Sequence, residues 1–218
     1  MSERASVFTL IAAGDAAGVQ ALLAANPALA AAPNHQGITP VLWALYHGKR
    51  DLATLLAAAA HPLGLLEAAA MGDAARVQEA LGERPDGVNT RSGDGFTALH
   101  YTAFFGAPAA VAELLLQAGA DPNAVAGNPT LLQPLHSAAA ARNLEVARLL
   151  VAAGAAVNAR QQRGFTPLMA AAQNGDSALA DLLTAAGADL ARASDDGKTA
   201  ADYARDGGHA DLAGRLSG

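Results

Sequence analysis

The sequence predicts an all-α protein built from a row of short helix pairs, and two observations carry that prediction. One pattern recurs along the chain, most completely in GFTPLMAAAQNGD from Gly164 to Asp176: a Thr-Pro step, a helix of small residues, then a glycine. The composition agrees with it. Of 218 residues 52% are apolar but only 4% are aromatic, so the apolar surplus is alanine and leucine. Such a mixture suits thin helices that approach closely rather than a bulky globular core.

The pattern is worn to different degrees. Thr39-Pro40 runs on to Gly48, and Thr97-Ala98-Leu99-His100 to Gly106. Pro134-Leu135-His136 runs on to Asn143, with Arg142 where the glycine is expected, and Thr199 runs on to Gly208. Taking the threonine slot as anchor gives Ala5, Thr39, Leu63, Thr97, Gln133, Thr166 and Thr199, spaced 34, 24, 34, 36, 33 and 33 residues apart. This resembles the ankyrin repeat, as in bacterial-type ankyrin repeat domain proteins, whose opening is Thr-Pro-Leu-His and whose period is about 33 residues. The resemblance implies a solenoid of about seven helix-turn-helix units with short β-hairpin-like fingers. It places a single domain over 1–218, with units near 2–34, 35–62, 63–91, 92–124, 125–160, 161–193 and 194–218.

In the first unit an inner helix is expected from Ala5 to Ala13, a turn at Gly14-Asp15, and an outer helix through Val19, Leu22 and Leu23 that stops before Pro27. In the second, Pro40 opens the inner helix at the one position where a missing N–H costs nothing, and the outer helix covers Asp51 to Ala59. His61-Pro62-Leu63-Gly64 then leads straight into the next helix, so one finger is missing between the second and third units. Two arrangements fit: a continuous stack with a local change in curvature, or two sub-stacks meeting near Pro62. GDAARVQEAL of the third unit repeats GDAAGVQALL of the first. Units four to six are regular, although Val125 to Leu132, with Gly127-Asn128-Pro129, is a longer connection. The seventh turns polar after Thr199, as a terminal unit must. Ala68-Ala69, Ala138-Ala139 and Ala171-Ala172 are expected where inner helices meet, and Gly37, Gly95, Gly164 and Gly197 in the finger turns.

Composition excludes several functions. The formal net charge is −6, whereas a duplex-binding surface is basic, so no nucleic acid is expected. There is no cysteine, hence no disulfide, thiolate metal site or cysteine nucleophile. No apolar run reaches the roughly 18–20 residues of a membrane span. MSERASVFTLIAAGDAAG lacks a basic region followed by a long apolar stretch, and the expected setting is the reducing cytoplasm. No phosphate loop, serine elbow or ligand cluster is present, so no catalytic residue, cofactor or metal is expected. His100 and His136 fall in the fourth slot of the opening, where ankyrins use a structural hydrogen bond. His35 and His47 make a weak metal pair, since zinc wants four placed ligands. Asp195-Asp196 reads as a cap for the next helix.

The resemblance implies protein binding. By resemblance, partner-contacting slots lie just before the Thr-Pro opening and just before the mid-repeat glycine. They map to Tyr46 and His47; Met71; Phe96, Phe104 and Phe105; Leu132; and Arg163, Phe165, Gln173 and Asn174, with Ile38 and Ala70 among further members. Aromatic residues with a polar rim are the usual interface anchors. Phe104 and Phe105 fit interface and packing roles equally, whereas Trp43 and Tyr101 share a slot that favours packing. The expectation is a monomeric, non-catalytic scaffold that holds another protein on its concave face and finger tips. The alternatives are a regulatory subunit dedicated to one cellular enzyme or effector, and a small-molecule or metal site on the stack.

Overall fold

The computed structural model describes residues 3–218, so Met1 and Ser2, at the start of the first expected unit, lie outside the described residues. Fourteen α-helices follow in seven pairs: α1 (Glu3–Ala13) with α2 (Ala16–Ala25), α3 (Pro40–Tyr46) with α4 (Arg50–Ala59), and α5 (Leu65–Met71) with α6 (Ala74–Glu83). Then come α7 (Ala98–Phe104) with α8 (Ala109–Gln117), α9 (Pro134–Ala140) with α10 (Leu144–Ala152), α11 (Pro167–Gln173) with α12 (Ser177–Ala185), and α13 (Ala200–Asp206) with α14 (Ala210–Leu216). Among the described residues there is no strand, only one isolated antiparallel bridge between Arg91 and Thr97.

Local chemistry starts and stops these helices. Pro40, Pro134 and Pro167 stand at the first helical position. Thr166 Oγ1 accepts from Met169 N at 3.3 Å, and Thr199 and Asp202 cap each other reciprocally. The mid-pair turn requires a left-handed residue; Gly175 supplies φ +65°, and Arg142 adopts +58° in the same slot. Asp15, Asp73, Asn143 and Asp176 then accept from the backbone N–H three residues on and start the outer helix. Gln133 stands where threonine caps elsewhere, and its buried Oε1 has no hydrogen-bond partner. Gln133→Thr is therefore expected to raise stability by about 1 kcal/mol in urea unfolding; no gain, or a loss, would show that the glutamine is already satisfied.

The inner helices touch through alanine. Ala68, Ala69, Ala138, Ala139, Ala171 and Ala172 are all fully buried. Leu56, Leu115, Leu150 and Leu183 of the outer helices are equally inaccessible, and one apolar cluster runs from Val7 to Leu216. It includes Leu56, Leu63 and Ala68 on either side of Pro62.

Fingers project ahead of most inner helices, each closed by one backbone bond across four residues. Asn34 N donates to Ile38 O at 2.9 Å, Ser92 N to Phe96 O at 2.9 Å, Gln161 N to Phe165 O at 3.0 Å and Ser194 N to Lys198 O at 2.9 Å. The fifth is wider, with Ala126 N donating to Leu132 O at 2.7 Å. An asparagine ladder joins neighbours behind them. Asn89, Asn123 and Asn158 each donate to a carbonyl of the next unit (Gly119, Gly154, Gly187) and accept from the backbone N–H two residues later, at 2.7–3.0 Å.

The third finger is absent, and the neighbours close over the gap. The second finger lies directly on the fourth: a Cβ on Gly93 would stand 2.1 Å from Gln36 O and 2.5 Å from Gly37 Cα. Thr39 Oγ1 donates to Glu67 Oε1 at 2.9 Å and Arg50 Nη2 to Met71 O at 3.1 Å, tying the second pair to the third. Arg76, where the first unit has Gly18, reaches across to this junction along the wall of a cavity of about 300 Å³. Its Nε donates to Leu63 O at 2.7 Å and its Nη1 reaches Glu83 at 2.7 Å and Glu79 at 3.2 Å.

Candidate partner-binding groove

The chain has one tryptophan, three tyrosines and five phenylalanines, and five of these rings converge where the second finger meets the fourth. Tyr46, at the end of α3, reaches past α5, whose facing residues are alanines, to the rings of α7. Its centroid lies 5.2 Å from Phe105, 6.4 Å from Tyr101 and 6.5 Å from Phe104. Phe96 stands edge-on to Tyr101 at 6.0 Å, and Tyr101 stacks on Phe105 at 5.9 Å. Pairs in these geometries are worth about 0.5–1.5 kcal/mol beyond their buried area. The two phenols share one carboxylate: Tyr46 Oη donates to Asp94 Oδ2 at 2.6 Å and Tyr101 Oη to Asp94 Oδ1 at 2.6 Å, with Ser92 Oγ as a third donor. Burial pushes both phenol pKa values up, and the nearby carboxylate adds to it. Both tyrosines therefore stay protonated donors.

Between these rings lies an apolar notch of about 140 Å³, lined by Tyr46, Phe96, His100, Tyr101, Phe104, Leu132 and Ser137. A second, polar notch of about 370 Å³ adjoins it, lined by Thr130, Leu132, Gln161, Gln162, Arg163, Phe165, Gln173, Asp196 and Tyr203. Leu132 lines both, so the two notches meet at this residue. His100 sets that divider in place: its Nε2–H donates to Leu132 O at 3.1 Å while Nδ1 accepts from Thr97 N at 3.3 Å. His136 does the same one unit on, with Ala159 O at 3.1 Å and Gln133 N at 3.2 Å. Burial lowers the pKa of both imidazoles to about 4, so they are neutral structural hydrogen bonders. Among the described residues no group of three or more His, Cys, Asp or Glu could hold a metal.

The expected contact residues divide. Tyr46, Phe96, Phe104 and Leu132 line the apolar notch, and Leu132, Arg163, Phe165 and Gln173 line the polar one. Phe104 is 45% exposed, whereas Phe105 is half-buried against Tyr101 and packs. Three others line neither notch. His47 lies on Trp43 at 4.6 Å, Met71 is half-buried with its carbonyl taken by Arg50, and Asn174 turns back to donate to Ala139 O at 3.3 Å. Ile38 and Ala70 are buried and offer no contact surface, because finger and helix packing covers those slots. Asp195 and Asp196 do not cap α13, since Thr199 already does; they pair with Arg160 and Arg163, each at 2.6 Å. Tyr203, which meets Phe165 edge-on at 4.9 Å, was legible from the slot it shares with Trp43 and Tyr101.

Comparison with known proteins fits this architecture. A family model described as Ankyrin repeats (3 copies) matches residues 65–161 and 135–217. Human Neurogenic locus notch homolog protein 4 is 48% identical over 84 residues, which cover 37% of this chain and 4% of that protein. The chain thus spans only a small part of the length of this relative. Among the described residues no helix is long and apolar enough to cross a membrane.

Proposed function

The chain belongs to the ankyrin-repeat family, and from that premise we propose that it is a non-catalytic adaptor, a monomer in the cytoplasm, that captures another protein along this groove. Ankyrin repeats generally mediate protein–protein interaction. The observation that carries the proposal is the exposed rim of the apolar notch. Tyr46 and Phe104 are 37% and 45% accessible at the mouth of a concavity, next to a strip of glutamine, arginine and aspartate. Aromatic anchors inside a polar rim are where binding energy concentrates. All seven units act as one rigid wall in this reading, with the groove spanning the second to the seventh.

Phe104→Ala is expected to lose tenfold or more in affinity, on the order of 1.4 kcal/mol, while the fold loses less than about 1 kcal/mol because the ring is half open. The comparison is quantitative capture from the native lysate on wild-type and variant baits, with circular dichroism melts of both. A set of captured proteins that is the same on both baits would refute the groove as the binding surface.

A further inference from the structure

We propose that the apolar notch takes a fully alkylated ammonium, carried on a lysine side chain of the partner; this names the partner's chemistry and rests on the adaptor reading above. Its size is the first reason. At about 140 Å³ the notch holds one side-chain head, well below the roughly 300–1,000 Å³ of small-molecule and cofactor sites.

The walls are the second reason. Tyr46, Phe96 and Phe104 line the notch with partly exposed rings, backed by the buried ring of Tyr101, and clustered aromatic rings are what hold quaternary ammonium groups in aromatic cages. Both phenols donate to Asp94, a carboxylate held by hydroxyls and, among the described residues, by no ion pair. That charge polarises the rings in the direction a cation favours. The chain itself provides a precedent. In the seventh unit the residue before the opening threonine is Lys198, and its Nζ lies 5.9 Å over the ring of Tyr203. Tyr203 occupies the slot of Tyr101, but in the fourth unit the residue before Thr97 is Phe96. A lysine over a ring in one unit is thus replaced by a further ring in the other.

Alkylation is the third point. An unmodified ammonium brings three N–H donors that need acceptors. Asp94 does not line the notch, and three hydroxyls already bind its oxygens, so a bare lysine head would enter among rings with most of its donors unmet, whereas a trimethylammonium has none. The formal net charge of −6 draws a cationic segment toward the surface.

The test uses the whole chain and three probes: N-acetyl-trimethyllysine methylamide, its neutral isostere with a tert-butyl carbon in place of nitrogen, and unmethylated N-acetyl-lysine methylamide. Each is titrated by NMR against wild type and Phe104→Leu, which keeps apolar surface but removes a ring face. The cation is expected to bind about five- to tenfold more tightly than either comparison probe. Phe104→Leu should weaken it about fivefold and leave the neutral isostere within about twofold. Equal or tighter binding of the tert-butyl probe would overturn the proposal in favour of an apolar anchor and leave the adaptor reading intact. Equal binding of the unmethylated probe, indifference of the cation to Phe104→Leu, or no binding of the cation would overturn it as well. Failure of the adaptor reading would show separately, in the capture comparison with Phe104→Ala.

Discussion

Replacing Gly93 by alanine is expected to destabilise the protein by roughly 3 kcal/mol, although it adds a single methyl group. The new Cβ would lie 2.1 Å from Gln36 O, 2.5 Å from Gly37 Cα and 2.7 Å from Gly37 C. All three are backbone atoms, so no side-chain rotation relieves the overlap, and the second finger must leave the fourth. Gly82, inside α6 with nothing within 4 Å of its Cβ position, is the matched control. Gly82→Ala should stabilise by about 0.5–1 kcal/mol through helix propensity alone. Urea unfolding of both variants decides the matter. A Gly93→Ala protein within about 0.5 kcal/mol of wild type would mean that the two fingers do not touch.

Acid is expected to weaken the stack well before its carboxylates titrate. His100 and His136 are held near pKa 4 by burial, whereas an unfolded histidine titrates near 6.5. The unfolded chain therefore binds more protons between these values, and stability rises with pH across that window. The contribution is fully present above about pH 6.5 and is lost progressively as pH falls toward 4, amounting to roughly 2 kcal/mol per histidine by pH 5. Urea midpoints at pH 7, 6 and 5 measure it, and replacing both histidines by asparagine should flatten the curve. A wild-type midpoint that does not move between pH 7 and 5 would contradict the buried neutral imidazoles.

The sequence was most legible where the chemistry is local. A Thr-Pro step sets a helix start with its own atoms, so Pro40 and Pro167 lie where they were expected. Arg142 was identified only by its register in the pattern, and the backbone there is left-handed as the slot requires. The short spacing before Leu63 announced the missing finger. What covers that gap was not legible, because Gly37 and Gly93 are far apart in sequence and neither carries a side chain to signal a contact. The groove was half legible for the same reason. Phe96, Phe104 and Phe165 stood out as aromatic residues in a chain poor in them. Asp94, however, takes the Tyr46 hydroxyl from 48 positions away, and Asp195 meets Arg160 from 35. Nothing adjacent in sequence marks either pairing. The asparagine ladder shows the limit differently: asparagine is a common turn residue, and nothing in the sequence marks that the amides of Asn123 and Asn158 span two units.

In most single-file arrays an end unit can fray without disturbing anything beyond its immediate neighbour. Here Tyr46 and Gly37 make the second and fourth units adjoin in space, with the third bracketed between them. Melting from the N-terminal end therefore proceeds as a block: once the second unit detaches, Asp94 loses a donor, Phe105 loses a ring neighbour, and the third unit loses the bracket that seats it.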